Sequence, residues 1–166
     1  AKKKDIGELV VCILNRERHR ELIRNCREVG ARIMLISDGD VSGVIATSEE
    51  DSGVDMYIGT GGSPEGVLAA AALRCIGGQM QTRLVFRNEE EISRAKKVGI
   101  NDLRKIYDLN ELAKGDVMFA ATGVTDGNML KGVKNKERFA YTESVVMRSS
   151  TQTVRKIKAK HSLNNK

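Results

Sequence analysis

The stretch from Val54 to Ile76 constrains this chain most. It opens with Val54-Asp55-Met56-Tyr57-Ile58, turns through Gly59-Thr60-Gly61-Gly62, and continues as Ser63-Pro64-Glu65-Gly66 into Val-Leu-Ala-Ala-Ala-Ala-Leu-Arg-Cys-Ile. The order predicts a strand, a glycine-rich turn and a helix. Glycines permit backbone angles and close approaches that a Cβ would block. Ser63 reads as the N-cap and Pro64 as the first helical residue, where a missing N–H costs nothing. Glu65 then stands in the first turn, where the helix dipole favours a carboxylate. Such a helix start points free N–H groups at solvent or at an anion.

Two readings of this turn stay open on the residues alone: a tight strand-to-helix connection, or a phosphate cradle with a carboxylate beside it. It is not a Walker loop, because no Gly-Lys-Ser/Thr follows. Nor is it the dinucleotide fingerprint, since proline stands where the third glycine belongs. A phosphate beside a carboxylate points to phosphate chemistry assisted by a metal ion.

Length and composition narrow the class. A chain of 166 residues, 40% apolar and 30% charged, suits one globular domain with a sizeable core. No apolar run reaches the length of a membrane span, and the lysine-rich start leads into no signal-peptide core, so the expected location is cytoplasmic. Cys12, Cys26 and Cys75 are odd in number and form no Cys-x-x-Cys pair, as expected of buried free thiols in a reducing compartment. The net charge of +6 sits at the ends. Lys2, Lys3 and Lys4 at the start and Arg155, Lys156, Lys158, Lys160 and Lys166 at the finish account for eight of the 28 basic residues, leaving 20 against 22 acidic ones. With no tryptophan and 4% aromatic residues there is little to stack on bases. Solvated tails, not a nucleic-acid surface, are the expectation.

Along the chain, Leu9 to Leu14 is an apolar run of strand length, as in a strand buried on both faces. After Asn15-Arg16-Glu17-Arg18-His19, the residues Leu22, Ile23, Cys26 and Val29 fall at helical spacing, with Gly30 as the stop. Arg32 to Ile36 is the next strand and runs into Ser37-Asp38-Gly39-Asp40-Val41. Strand, helix, strand implies a right-handed crossover and a parallel sheet. Three strands thus end in equipped loops, Arg16/Arg18, Asp38/Asp40 and the glycine turn with Glu65, on the sheet edge where ligands of parallel sheets bind. Each loop also has a plainer reading: arginines in a first turn, or an Asp-Gly-Asp turn with an N-cap. Cations at a helix start oppose its dipole unless an anion compensates them. His19 reads as an orienting or a solvated histidine.

Further on, Met80 to Phe86 reads as a strand. Asn88 to Val98 is a capped surface helix, acids first and lysines last, stopped by Gly99. Ile106 to Leu109 and Asn110 to Lys114 read as a short strand and a turn of helix. Val117 to Ala121 reads as a buried strand leading to the loop Thr122 to Asn128, which is glycine-rich and suited to line a site. Ala140 to Arg148 and Thr151 to Lys158 form a hairpin around Ser149-Ser150 at the sheet edge. The expected fold is α/β, a mostly parallel sheet flanked by helices with a C-terminal antiparallel hairpin. The expected division is a basic N-terminal tail over 1–8, one domain over 9–161 and a tail over 162–166.

Four runs, Asp38-Gly39-Asp40-Val41, Tyr57 to Gly66, Ala120 to Gly127 and Thr142 to Arg148, occur in the order in which class II fructose-1,6-bisphosphatases carry similar ones. From about Leu9 to His161 the chain resembles the C-terminal half of that family, which belongs to the lithium-sensitive metal-dependent phosphatases. The resemblance implies a phosphoric monoester hydrolase of gluconeogenesis that removes the 1-phosphate of fructose 1,6-bisphosphate using Mn²⁺ or Mg²⁺. Some members also take sedoheptulose 1,7-bisphosphate, and the full-length enzyme is implied to be a homo-oligomer.

By resemblance, Glu65 is a metal ligand and catalytic carboxylate. Asp38, Gly39 and Asp40 contact the sugar, Gly62 brings its backbone to the substrate, and Arg16, Glu17 and Arg18 hold the phosphate distant from the reaction. The chain departs from the family where Glu17 stands in place of the usual proline. The family's Asp-Pro-x-Asp/Glu-Gly-Thr signature is absent, since Pro64 is the only proline. The expectation is therefore a substrate-binding half that lacks most metal ligands. The alternatives are a sugar-phosphate-binding module without hydrolysis and, more remotely, a basic RNA-binding domain whose affinity falls steeply with salt.

Overall fold

The computed structural model describes residues 3–163. The outer ends of the two expected tails, 1–2 and 164–166, lie outside the described residues.

β1 (Val10–Leu14) and β2 (Arg32–Ile36) run parallel, paired from Val10 with Arg32 to Leu14 with Ile36. β3 (Met56–Tyr57) pairs in parallel with the other edge of β1, so the strand order is β2-β1-β3. Val11 to Leu14 are all buried, as the unbroken apolar run predicts for a central strand. The crossover helix α1 (Arg20–Glu28) lays Leu22, Ile23 and Cys26 against Val11, Ile13 and Ile33.

On the other face of this sheet lie α2 (Asp40–Ala46) and α3 (Ser63–Ile76). Val44 of α2 meets Ala69 and Leu73 of α3, with Tyr57 beside them. Ala72 and Cys75 of α3 face Phe119, Val145 and Met147 of a second sheet. A helix with small and apolar residues on several sides is what a position between two layers requires.

The second sheet is antiparallel and four-stranded, with β8 (Phe139–Arg148) pairing β6 (Met118–Thr122), β7 (Lys134–Lys136) and β9 (Thr153–Ser162). Between the sheets in sequence come β4 (Gln81–Arg83), α4 (Glu89–Lys97), β5 (Ile106–Asp108) and α5 (Leu109–Leu112). β4 and β5 form a separate antiparallel pair.

The α/β class and the helix-flanked parallel sheet match the expectation, and several details differ. The run at Val117 to Ala121 belongs to the antiparallel sheet, not the parallel one. Met118 is 66% exposed while Phe119 is 7% exposed, an alternation that the small alanines after them conceal. The C-terminal hairpin is longer than expected, its second strand beginning at Thr153 with Gln152 at φ 48° in the turn. Helix α3 is capped by Gly62, not Ser63, which puts Ser63 inside the helix. At the amino end, Lys4 is paired at 2.8 Å with Asp55, whose side chain is 5% exposed and also accepts the Val10 N–H. Residues Ile6–Glu8 form a 3-10 turn. All three cysteines are free, Cys12 and Cys75 buried and Cys26 half-buried, and burial pushes the Cys12 and Cys75 thiols up.

Candidate active site

Because β1, β2 and β3 are parallel, their three following loops leave from one edge of the sheet. The first and third loops are tied together at Thr60. Arg18 Nε donates to the Thr60 carbonyl at 2.7 Å. His19, 1% exposed, places Nδ1 at 2.8 Å from the Leu14 carbonyl. Its Nε2 lies 2.9 Å from the Thr60 amide nitrogen and 3.2 Å from the Thr60 carbonyl. The end of β1 and the glycine turn are thus joined through one imidazole, and the solvated reading of His19 does not hold.

The second loop meets the third at Asp40. A Cβ placed on Gly61 would stand 3.3 Å from Asp40 Oδ2. Asp40 opens α2, with its Oδ1 accepting the Val41 N–H at 2.9 Å. Gly39 caps that helix at φ 77°, a left-handed conformation that selects glycine. The phenol of Tyr57 senses both loops. Burial and then the Asp40 carboxylate push it up to about 12 against a pull from Arg18, so it stays protonated and able to donate at neutral pH.

Glu65 lies exposed in the first turn of α3 and folds back over Gly62, close enough that a Cβ on Gly62 would collide with its carboxylate. Gly62 has ordinary extended angles, φ −70° and ψ 143°. Glycine is required there for space, not for conformation.

The remaining expected residues stand apart. Arg16 is exposed, with Nη1 on the neighbouring Asn15 carbonyl at 3.1 Å. Glu17 turns to Arg20 at 2.9 Å, both about three-quarters exposed, and so serves the start of α1. Asp38 is exposed, without a hydrogen bond to the other two loops among the described residues. The glycine-rich loop after β6 folds on itself instead: Gly132 N–H and Lys134 Nζ both bind Asp126, and Val133 N–H donates to Val124. Tyr57 and the backbone of Thr60 also stand where the loops meet, and the residue pattern alone does not single them out. Tyr57 is marked only by its position as the last residue of its strand before the turn, while the role of Thr60 lies in its backbone and leaves no residue-type signal.

Mn²⁺ and Mg²⁺ are hard cations that take about six oxygen ligands. Among the described residues no three acidic, histidine or cysteine side chains gather into such a group. These residues alone therefore do not fit a complete divalent site, and Glu65 stands as an exposed carboxylate beside the glycine turn.

The parallel sheet of this α/β protein thus presents arginine, aspartate and a helix-opening glycine turn at the ends of its strands. The chain belongs to the family described as bacterial fructose-1,6-bisphosphatase, glpX-encoded, whose family model matches residues 1–161. It is 41% identical over 169 residues to a protein of Synechococcus elongatus named D-fructose 1,6-bisphosphatase class 2/sedoheptulose 1,7-bisphosphatase, with 94% of this chain and 49% of that protein covered. A protein of the same name from Synechococcus sp. strain JA-2-3B'a(2-13) is 41% identical over 171 residues, covering 95% of this chain and 49% of the relative. The chain spans about half the length of the curated relatives it matches. Among the described residues no helix is long and apolar enough to cross a membrane.

Proposed function

We propose that this chain is the substrate-binding portion of a metal-dependent phosphoric monoester hydrolase acting on fructose 1,6-bisphosphate, with sedoheptulose 1,7-bisphosphate as a second substrate. The observation that carries this reading is the joining of three loops at one sheet edge: Arg18 and His19 on Thr60, and Asp40 beside Gly61. Arg18, whose Nη groups have no hydrogen-bond partner among the described residues, and Arg16 hold the phosphate that is not cleaved, a task suited to the guanidinium fork. Asp40, with Asp38 and the Gly39 backbone, accepts from sugar hydroxyls. Gly62 brings its backbone against the substrate with no side chain in the way. Glu65 contributes one carboxylate to the cation site, and the half of the family's length outside these residues contributes the others. Glu17, engaged with Arg20, is the weakest member of the expected set.

The test is release of inorganic phosphate from fructose 1,6-bisphosphate with Mn²⁺ or Mg²⁺, assayed on the 166-residue chain alone and together with the remaining half of a curated relative. Activity in the mixture that Glu65→Ala abolishes supports the reading. Tight sugar-bisphosphate binding with no hydrolysis in the mixture favours the binding-module alternative instead.

A further inference from the structure

We propose that His19 is the positioning residue of the phosphate site, holding the backbone of Thr60 in the orientation that aims the Arg18 guanidinium. This rests on the reading of Arg18 as a phosphate ligand. Hydrogen-bond chemistry fixes the state of the ring. The Leu14 carbonyl can only accept, so Nδ1 at 2.8 Å must donate to it. The Thr60 N–H can only donate, so Nε2 accepts from it at 2.9 Å, the shorter of its two Thr60 contacts; the Thr60 carbonyl, 3.2 Å from Nε2, takes its hydrogen bond from Arg18 Nε instead. Both partners demand the same neutral tautomer, proton on Nδ1, and a ring that is 1% exposed has no water to substitute for either.

The consequence passes through one residue, whose N–H and carbonyl belong to the peptide units on either side of its Cα, to the Arg18 side chain. With its amide held by His19, Thr60 presents its carbonyl to Arg18 Nε at 2.7 Å. A guanidinium carries five N–H donors in a rigid plane. Fixing the Nε–H sets that plane while leaving both Nη groups, which have no hydrogen-bond partner among the described residues, free for two phosphate oxygens. His19 therefore acts on binding through the direction of Arg18 and the path of Gly59 to Gly62, without touching the ligand.

Two amide variants separate positioning from simple support. His19→Gln places a carbonyl near Nε2 and keeps the bond to Thr60. His19→Asn places an amide near Nδ1 and keeps the bond to Leu14 only. Calorimetric titration of the 166-residue chain with fructose 1,6-bisphosphate and with inorganic phosphate should show His19→Ala and His19→Asn weakened about tenfold or more, the scale of one lost buried hydrogen bond. His19→Gln should bind close to the unmodified chain. Equal weakening in the Asn and Gln variants, or a ring whose Nε2 carries the proton by nitrogen NMR, would overturn the proposal. If the unmodified chain binds neither ligand, the functional reading fails by itself. The positioning role is then read from Thr60 amide exchange and the Arg18 Nε–H resonance, protected in Gln and lost in Asn if it is right, unchanged in Asn if it is wrong.

Discussion

At Gly62 a single missing Cβ decides what the neighbouring carboxylate can do. The glycine has an extended backbone that alanine adopts freely, yet a methyl group there would occupy the position of the Glu65 carboxylate. The obstacle is the end of a flexible side chain, so the helix survives its displacement. Gly62→Ala should cost about 1 kcal/mol or less, the difference between glycine and alanine at an N-cap. The reconstituted phosphatase should nevertheless lose about a hundredfold in kcat, as a misplaced reacting group does. Denaturant midpoints and turnover measured on the same preparation would show this split, and a parallel loss of both would mean that Gly62 serves only the fold. Glycine, arginine and aspartate at the strand ends were legible as residues. That Glu17 pairs with Arg20 was not, because a surface pair depends on a helix boundary that the sequence leaves uncertain by a residue or two.

Elements were most legible where local chemistry and packing agree. β2 and α4 match their expected boundaries closely, and Asn88 caps α4 through the Glu91 N–H at 2.9 Å. Helix α2 carries little signal in the sequence, since Ser42, Gly43, Val44 and Ile45 are poor helix formers. Its interior Gly43 has a tertiary purpose: a Cβ there would press at 3.1 Å on the Ile36 and Tyr57 side chains. Close packing on the sheet overrides propensity.

The second sheet is tied at its own edge by Asp116, just before β6, which accepts from Arg148 Nη2 at 2.6 Å and Nε at 3.2 Å and from Ser149 at 3.3 Å. The hydrogen-bonded Arg148 holds the Asp116 carboxyl down to about 2, against its ordinary 3.8. A depressed carboxyl stabilises the fold above its unfolded value and loses that contribution as pH falls through its folded value. The pair is at the surface, so its contribution is small and salt-sensitive. Asp116→Asn should therefore be less stable than the unmodified chain at neutral pH, with the difference closing between about pH 4 and pH 2. Urea midpoints across that range check it, and a pH-independent difference would contradict it.

At the scale of the whole molecule, α2 and α3 stand between a parallel sheet that carries the loops and an antiparallel sheet that backs α3. The crossover topology of the first sheet was legible because strand-helix-strand order leaves few choices. Of the second sheet only the C-terminal hairpin was legible, because apolar runs such as Val117 to Ala121 do not reveal which strand they will pair with or in which direction. The candidate site belongs to the first sheet and the helix that follows it, which is why its loops could be read in the sequence while the pairing of Val117 to Ala121 could not.

The most direct measurement is a calorimetric titration of fructose 1,6-bisphosphate into the 166-residue chain and into Arg18→Ala. One saturable site, weakened at least about tenfold in the variant as expected for a lost charge-assisted contact, is the predicted result. Binding of equal strength in both chains would contradict the placement of the phosphate at the joined strand ends.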